Sequence, residues 1–143
     1  MFLSEQEIVR RNKREELMKL GIQPYPSQEF RVNTNSLDIH QNYEKRKMDY
    51  EDIRIAGRIM SLRIQGKASF AEIQDEKGRI QIYVNRDEIC PGEDKTLYNT
   101  VWKKLLDIGD IVAIKGHVFI TKVGEITVHV KDLQLLTKSL RPL

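Results

Sequence analysis

Residues 67–83, KASFAEIQDEKGRIQIY, read as two short alternating strands around an Asp75-Glu76-Lys77-Gly78 turn. A strand sends successive side chains to opposite faces. In the first strand Ala71 and Ile73 point one way, and Phe70, Glu72 and Gln74 the other. In the second, Ile80, Ile82 and Val84 face the core, while Arg79, Gln81 and Tyr83 face out. With a tight turn at Asp75–Gly78, Phe70 falls opposite Tyr83 and Glu72 opposite Gln81. Such a hairpin hides its aliphatic residues and shows Phe, Tyr, Gln and Arg. That face suits a flat, polar, negatively charged partner, and a single-stranded nucleic acid answers the description.

The rest of the chain sets bounds on this reading. A length of 143 residues is one ordinary domain with room for an N-terminal appendage. It is long enough to bury a core without staples. No long apolar run exists to span a membrane, and the N-terminus MFLSEQEIVRRNKREE lacks the apolar core of a signal peptide. Cys90 is the only cysteine, which excludes an internal disulfide and fits a reducing, cytoplasmic setting. A net charge of +3 leans only mildly towards anionic partners, so its distribution matters more. Basic residues gather at Arg10–Arg14 and along Arg54–Lys67.

Outward from the hairpin, Ser4-x-x-Glu7 is a capping box, with Leu3 and Ile8 at the staple positions. It predicts a helix from Glu5 to Leu20, stopped at Gly21, with Val9, Leu17 and Leu20 on one flank. Arg10, Arg11 and Arg14 share an arc of that helix. Two readings of the arc stand open: a track for phosphates, or a solvated face with Glu7–Arg11 pairing. Gly21–Pro26 forms an extended strap, and a short helix is predicted over Leu37–Lys47 with Ser36 as its cap. Residues 1–50 thus form a helical appendage, and 51–143 the main body.

From Ile53 the texture is that of strands. Ile53, Ile55 and Ile59 alternate, with Gly57 placed for a bend or bulge. After the hairpin, Asn85–Pro91 reads as an irregular connection and Lys95–Leu106 as a helix. Ile111–Thr121 is a strand with Val112, Ile114, Val118 and Ile120 on one side. Val123-Gly124 turns into a last strand, Glu125–Leu136, with Ile126, Val128 and Val130 inward and Glu125, Thr127 and His129 outward. Three strands, a helix and two strands is the order of an OB-fold, a mainly β, five-stranded Greek-key barrel with a helix between strands three and four. Its second and third strands commonly carry the nucleic-acid face, and here they are the 67–83 hairpin.

Catalytic signatures are absent from this text. His40, His117 and His129 have no metal-ligand spacing to one another or to Cys90 and read as surface or satisfied polar residues. No phosphate-binding glycine loop or nucleophile elbow occurs. The chain reads as a binder. Phe70 offers a ring on which an unpaired base can stack, worth about 1–3 kcal/mol. Gln81 carries a donor and an acceptor for a pyrimidine edge. Arg63 can donate to a base carbonyl or phosphate, Lys67 and Arg79 add phosphate attraction, and Glu125 can accept from a base. The competing reading packs Phe70 against the appendage and leaves Gln81 as a cross-strand pair.

Three stretches carry a resemblance: RRNKREELMKLGIQPYP (10–26), IAGRIMSLRIQGKASFAEIQDEKGRIQIYVNRDE (55–88) and GEITVHVKDLQLLTKSLRPL (124–143). They closely resemble the N-terminal region of bacterial-type lysyl-tRNA synthetases, over nearly the whole chain. AGRIMSLRIQGKASF and LTKSLRPL separate it from the aspartyl and asparaginyl relatives that share the barrel. The resemblance implies an OB-fold that binds the anticodon loop of tRNA(Lys). By it, Phe70 matches the aromatic that stacks on the central uridine, Gln81 the glutamine that hydrogen-bonds it, and Arg63 an arginine that also contacts it. Glu125 matches an acidic residue that reads a neighbouring base. From the residues alone, Tyr83 on the hairpin's outward face and the helix arginines Arg10, Arg11 and Arg14 are added as auxiliary contacts. The motifs for ATP, magnesium, lysine and the tRNA acceptor end belong to a class II catalytic domain that follows in the family. The resemblance therefore implies a fragment that needs no cofactor, binds tRNA and forms no aminoacyl bond, and whose parent is a homodimer. Two further readings compete with it: a stand-alone, sequence-tolerant single-strand binder of the same fold, and a protein-association surface.

Overall fold

The computed structural model describes residues 4–26 and 29–140. Leu3, half of the expected staple, and the terminal Arg141-Pro142-Leu143 lie outside the described residues. Five strands close into a barrel in the spatial order β1-β2-β3-β5-β4. They are β1 (Ile53–Gln65), β2 (Ala68–Gln74), β3 (Arg79–Asn85), β4 (Ile111–Ile120) and β5 (Ile126–Thr137). Neighbours pair antiparallel except β3 and β5, which run parallel. The short β3–β5 seam closes the barrel, and alternation fills the lumen with Ile55, Ile59, Ile73, Ile82, Ile114 and Val128, all 1% exposed or less.

The hairpin register is the one read from the sequence: Phe70 pairs with Tyr83 and Glu72 with Gln81. Its turn is tightened by the Asp75 carboxylate, which accepts from the amides of Lys77 and Gly78 at 2.9 and 3.0 Å. The same carboxylate accepts from the Ser36 amide at 2.8 Å and the Ser36 hydroxyl at 2.7 Å. Ser36 is therefore a tether between the N-terminal region and the hairpin. It is not the helix cap expected of it: Asn35 takes that place, accepting from the Asp38 amide at 2.9 Å. The helix itself, α2, is shorter than expected (Ser36–Asn42), and a separate 3-10 turn covers Lys47–Tyr50.

Other departures have local causes. α1 (Glu5–Lys19) begins as expected, with Ser4 Oγ accepting from the Glu7 amide at 3.1 Å. Of its expected apolar flank only Leu17 is buried; Val9 and Leu20 are exposed. Polar bonds hold the helix instead. Arg10 donates to the Ile108 carbonyl at 3.0 Å, and Lys13 pairs with Asp107 at 2.6 Å. The bulge expected at Gly57 falls between Ile59 and Ser61. Gly57 marks a close approach, since a Cβ there would meet Gln74 O at 3.0 Å. The 85–91 connection holds one helical turn, α3 (Arg86–Ile89), capped by Asn85 Oδ1. The segment after it is a π-helix, Leu97–Leu105, with Tyr98 and Trp102 fully buried. Ile120 and Ile126, placed by alternation on the same faces as Val118 and Val128, pair at the tip of the β4–β5 hairpin and stay partly exposed.

Candidate nucleic-acid interface

Barrel closure lines up outward residues that are far apart in the chain. One cross-strand row runs Arg63–Phe70–Tyr83–His129–His117, each residue directly opposite the next. Its rings are in contact. Phe70 and Tyr83 have centroids 5.2 Å apart, Tyr83 meets His129 edge-on at 5.1 Å, and His129 stacks on His117 at 4.8 Å. The Arg63 guanidinium lies 5.6 Å from the Phe70 centroid, within cation–π reach. The adjoining row runs Ser61–Glu72–Gln81–Thr127–Phe119. The result is a half-exposed aromatic stripe beside a polar one.

Arg63, Phe70 and Gln81 come together as a unit. Arg63 Nη2 donates to Gln81 Oε1 at 3.4 Å, and Gln81 Nε2 donates to Thr127 Oγ1 at 3.0 Å. Phe70 is half-buried, with its ring tilted against that of Tyr83. A hollow of about 490 Å³ opens beside it, lined by Phe70, Tyr83, Phe119, Lys122, Val123 and His129 among others. Glu125 sits exposed at the β4–β5 tip, its amide donating to Thr121 Oγ1 at 3.1 Å. Lys67 is exposed in the β1–β2 turn.

The remaining sequence candidates are placed less simply. Arg79 is engaged with Glu72 at 3.1 Å and with Gln74 Oε1 at 3.0 Å. An exposed pair of this kind contributes little to stability, so its guanidinium can exchange partners. Tyr83 accepts from Asn85 Nδ2 at 3.2 Å and acts as a wall of the hollow. Arg11 and Arg14 are exposed on α1. Arg10 is committed to the Ile108 and Ser139 carbonyls, which is a structural role.

Sequence reasoning missed Thr127, His117, Phe119 and His129. Thr127 was expected outward; it is fully buried beneath Gln81. The outward alternation of His117 with Phe119 was the available signal. Their contact with β3 depends on the parallel β3–β5 pairing, which no local pattern announces. Burial lowers the His117 pKa from its ordinary 6.5, and the neighbouring His129 and Lys131 push the same way against Glu88 and Glu51. A depressed imidazole is neutral in the fold and binds a proton more readily when unfolded. Its contribution to stability is therefore full above 6.5 and is lost as pH falls towards the folded value. Thermal melts are expected to show this decline below 6.5, and His117→Gln to flatten it; an unchanged slope in the variant would refute the assignment.

A closed five-stranded barrel that shows stacked rings beside polar side chains on β2 and β3 has the architecture of nucleic-acid-binding OB-folds. The chain belongs to the OB-fold nucleic acid binding domain family of the tRNA anti-codon type, whose profile matches residues 53–136. Along its whole length it is similar to lysine–tRNA ligases. It is 59% identical over 141 residues to the lysine–tRNA ligase of Christiangramia forsetii, covering 99% of this chain and 24% of that protein. It is 56% identical over 142 residues to that of Porphyromonas gingivalis, covering 99% and 25%. The corresponding protein of Azobacteroides pseudotrichonymphae is 53% identical over 141 residues, with 99% and 28% covered. The chain thus spans about a quarter of the length of these relatives. Among the described residues no helix is long and apolar enough to cross a membrane.

Proposed function

We propose that this chain is the anticodon-binding region of a cytoplasmic lysine–tRNA ligase and recognises the anticodon loop of tRNA(Lys). The observation that carries the reading is the convergence of Arg63, Phe70 and Gln81 on one face of the β2–β3 hairpin. Phe70 stacks on the central base of a U-rich anticodon, and Gln81 and Arg63 bond its edge. Glu125, at the β4–β5 tip, accepts from a neighbouring base. Lys67, Arg79, Arg11 and Arg14 attract phosphates, and Tyr83 flanks the stack. The complete protein attaches lysine to tRNA with ATP and magnesium. That chemistry belongs to a class II catalytic domain outside these residues, which also builds most of a homodimer. This chain selects the tRNA and makes no aminoacyl bond.

Binding to hairpin RNAs with a UUU loop, followed by fluorescence anisotropy, tests the reading. Phe70→Ala is expected to lower affinity by about 1–3 kcal/mol, between fivefold and a hundredfold or so. Equal affinity for every loop sequence would sink the proposal in favour of a sequence-tolerant single-strand binder. A tight dimer with no RNA binding would point to protein association.

A further inference from the structure

The Gln81 amide lies between two partners, and their chemistry differs. Its Nε2 donates to Thr127 Oγ1 at 3.0 Å, and its Oε1 accepts from Arg63 Nη2 at 3.4 Å. The Thr127 proton is already used, because Oγ1 donates to the Glu125 carbonyl at 3.1 Å. A hydroxyl has a single proton. With that proton on Glu125, Thr127 meets Gln81 only as an acceptor. The amide nitrogen must then turn to Thr127 and the amide oxygen to Arg63. Reversal would take the Thr127 proton off Glu125 and set the Gln81 N–H against a guanidinium N–H. Thr127 is fully buried, so water does not supply an alternative partner.

This polarity has a consequence for base choice. From Thr127 towards Arg63, the edge offered to a stacked base reads donor, acceptor, donor: the second Nε2 proton, Oε1, and the guanidinium. The uracil edge reads acceptor, donor, acceptor (O4, N3–H, O2) and complements it in either direction. The cytosine edge reads donor, acceptor, acceptor and clashes at two of the three positions whichever way it lies. A reversed Gln81 would read acceptor, donor, donor, which is the complement of cytosine. We propose that Thr127 is a positioning residue that sets the polarity of Gln81 and thereby makes the site choose uracil over cytosine. The inference rests on the anticodon-binding reading above.

The test uses the 143-residue chain and two hairpin RNAs that differ only in the central loop base, U or C. Wild type is expected to prefer U by roughly tenfold or more, the scale of a good bidentate base contact. Thr127→Val, close in shape but without the hydroxyl, is expected to collapse that ratio, chiefly by strengthening binding of the C loop. Thr127→Ser keeps the hydroxyl and should keep the wild-type ratio. A Thr127→Val protein that melts like wild type and retains the full preference overturns the role of Thr127 and leaves the anticodon reading intact. A wild type without preference overturns both. Should Thr127→Val not fold, NMR relaxation of the Gln81 side-chain amide in the wild type decides: a rigid amide is expected, and a freely rotating one overturns the proposal.

Discussion

Asp110→Ala is expected to destabilise the fold by about 3–5 kcal/mol, the scale for removing one partner of a buried ion pair. Asp110 is fully buried, and the Lys138 side chain against it is 2% exposed. The carboxylate accepts from Lys138 Nζ at 2.8 and 3.1 Å, from the Ser139 amide at 2.7 Å and from the Asp107 amide at 2.8 Å. Its removal leaves the buried ammonium with Asp107, at 2.7 Å, and takes one acceptor from the part-buried amides of Asp107 and Ser139. Asp107 cannot fully compensate, because it also holds Lys13 of α1 at 2.6 Å. Burial pushes the Asp107 carboxyl up, but Lys13 and Lys138 outweigh it, and its pKa lies below the ordinary 3.8. Urea unfolding measures the loss. The double change Asp110→Asn with Lys138→Met removes the stranded charge and keeps one acceptor, so it should recover much of the stability. A loss below about 1 kcal/mol for Asp110→Ala would show the pair to be ordinary surface electrostatics.

Gly116→Ala is expected to cost about 3 kcal/mol, at the upper end for overpacking, and to weaken RNA binding as well. A Cβ at this position would lie 2.0 Å from the His129 carbonyl oxygen and 3.2 Å from Val130 Cα. Both obstacles are backbone, so no rotamer change relieves them. The residue sits at the β4–β5 register shift between Lys115 and Gly116, directly opposite Val130. Pushing the strands apart there displaces His117 and His129, whose stacked rings support Tyr83. Urea unfolding and anisotropy on the same sample separate the two effects. A variant with wild-type stability would mean that the close approach is not rigid.

The hairpin was legible because its determinants are local. The period of two assigns faces and allows only slips that keep them matched, and a tight Asp75–Gly78 turn then sets Phe70 opposite Tyr83 and Gln81 opposite Glu72, the register that forms. The order of strands and helix was enough to name the barrel. Arg63 could be proposed for the site because the β1–β2 turn is close to Phe70 in the chain.

Long-range closure supplied the rest. The alternation of β5 put Thr127 outward, yet parallel pairing with β3 lays Gln81 over it and takes it out of solvent. His117 and His129 looked scattered, and barrel pairing stacks them into the aromatic row. Arg10 shared a helix arc with Arg11 and Arg14, but docking of α1 on the 107–110 loop converts it into a structural donor. Local residue order carries side-chain type, face and turn length, and these determine which strands form and which residues a hairpin shows. Which partner a shown residue meets depends on the loop-closing contacts between strands distant in sequence. The hydrogen bonds that set Gln81 between Thr127 and Arg63 were settled at that second level.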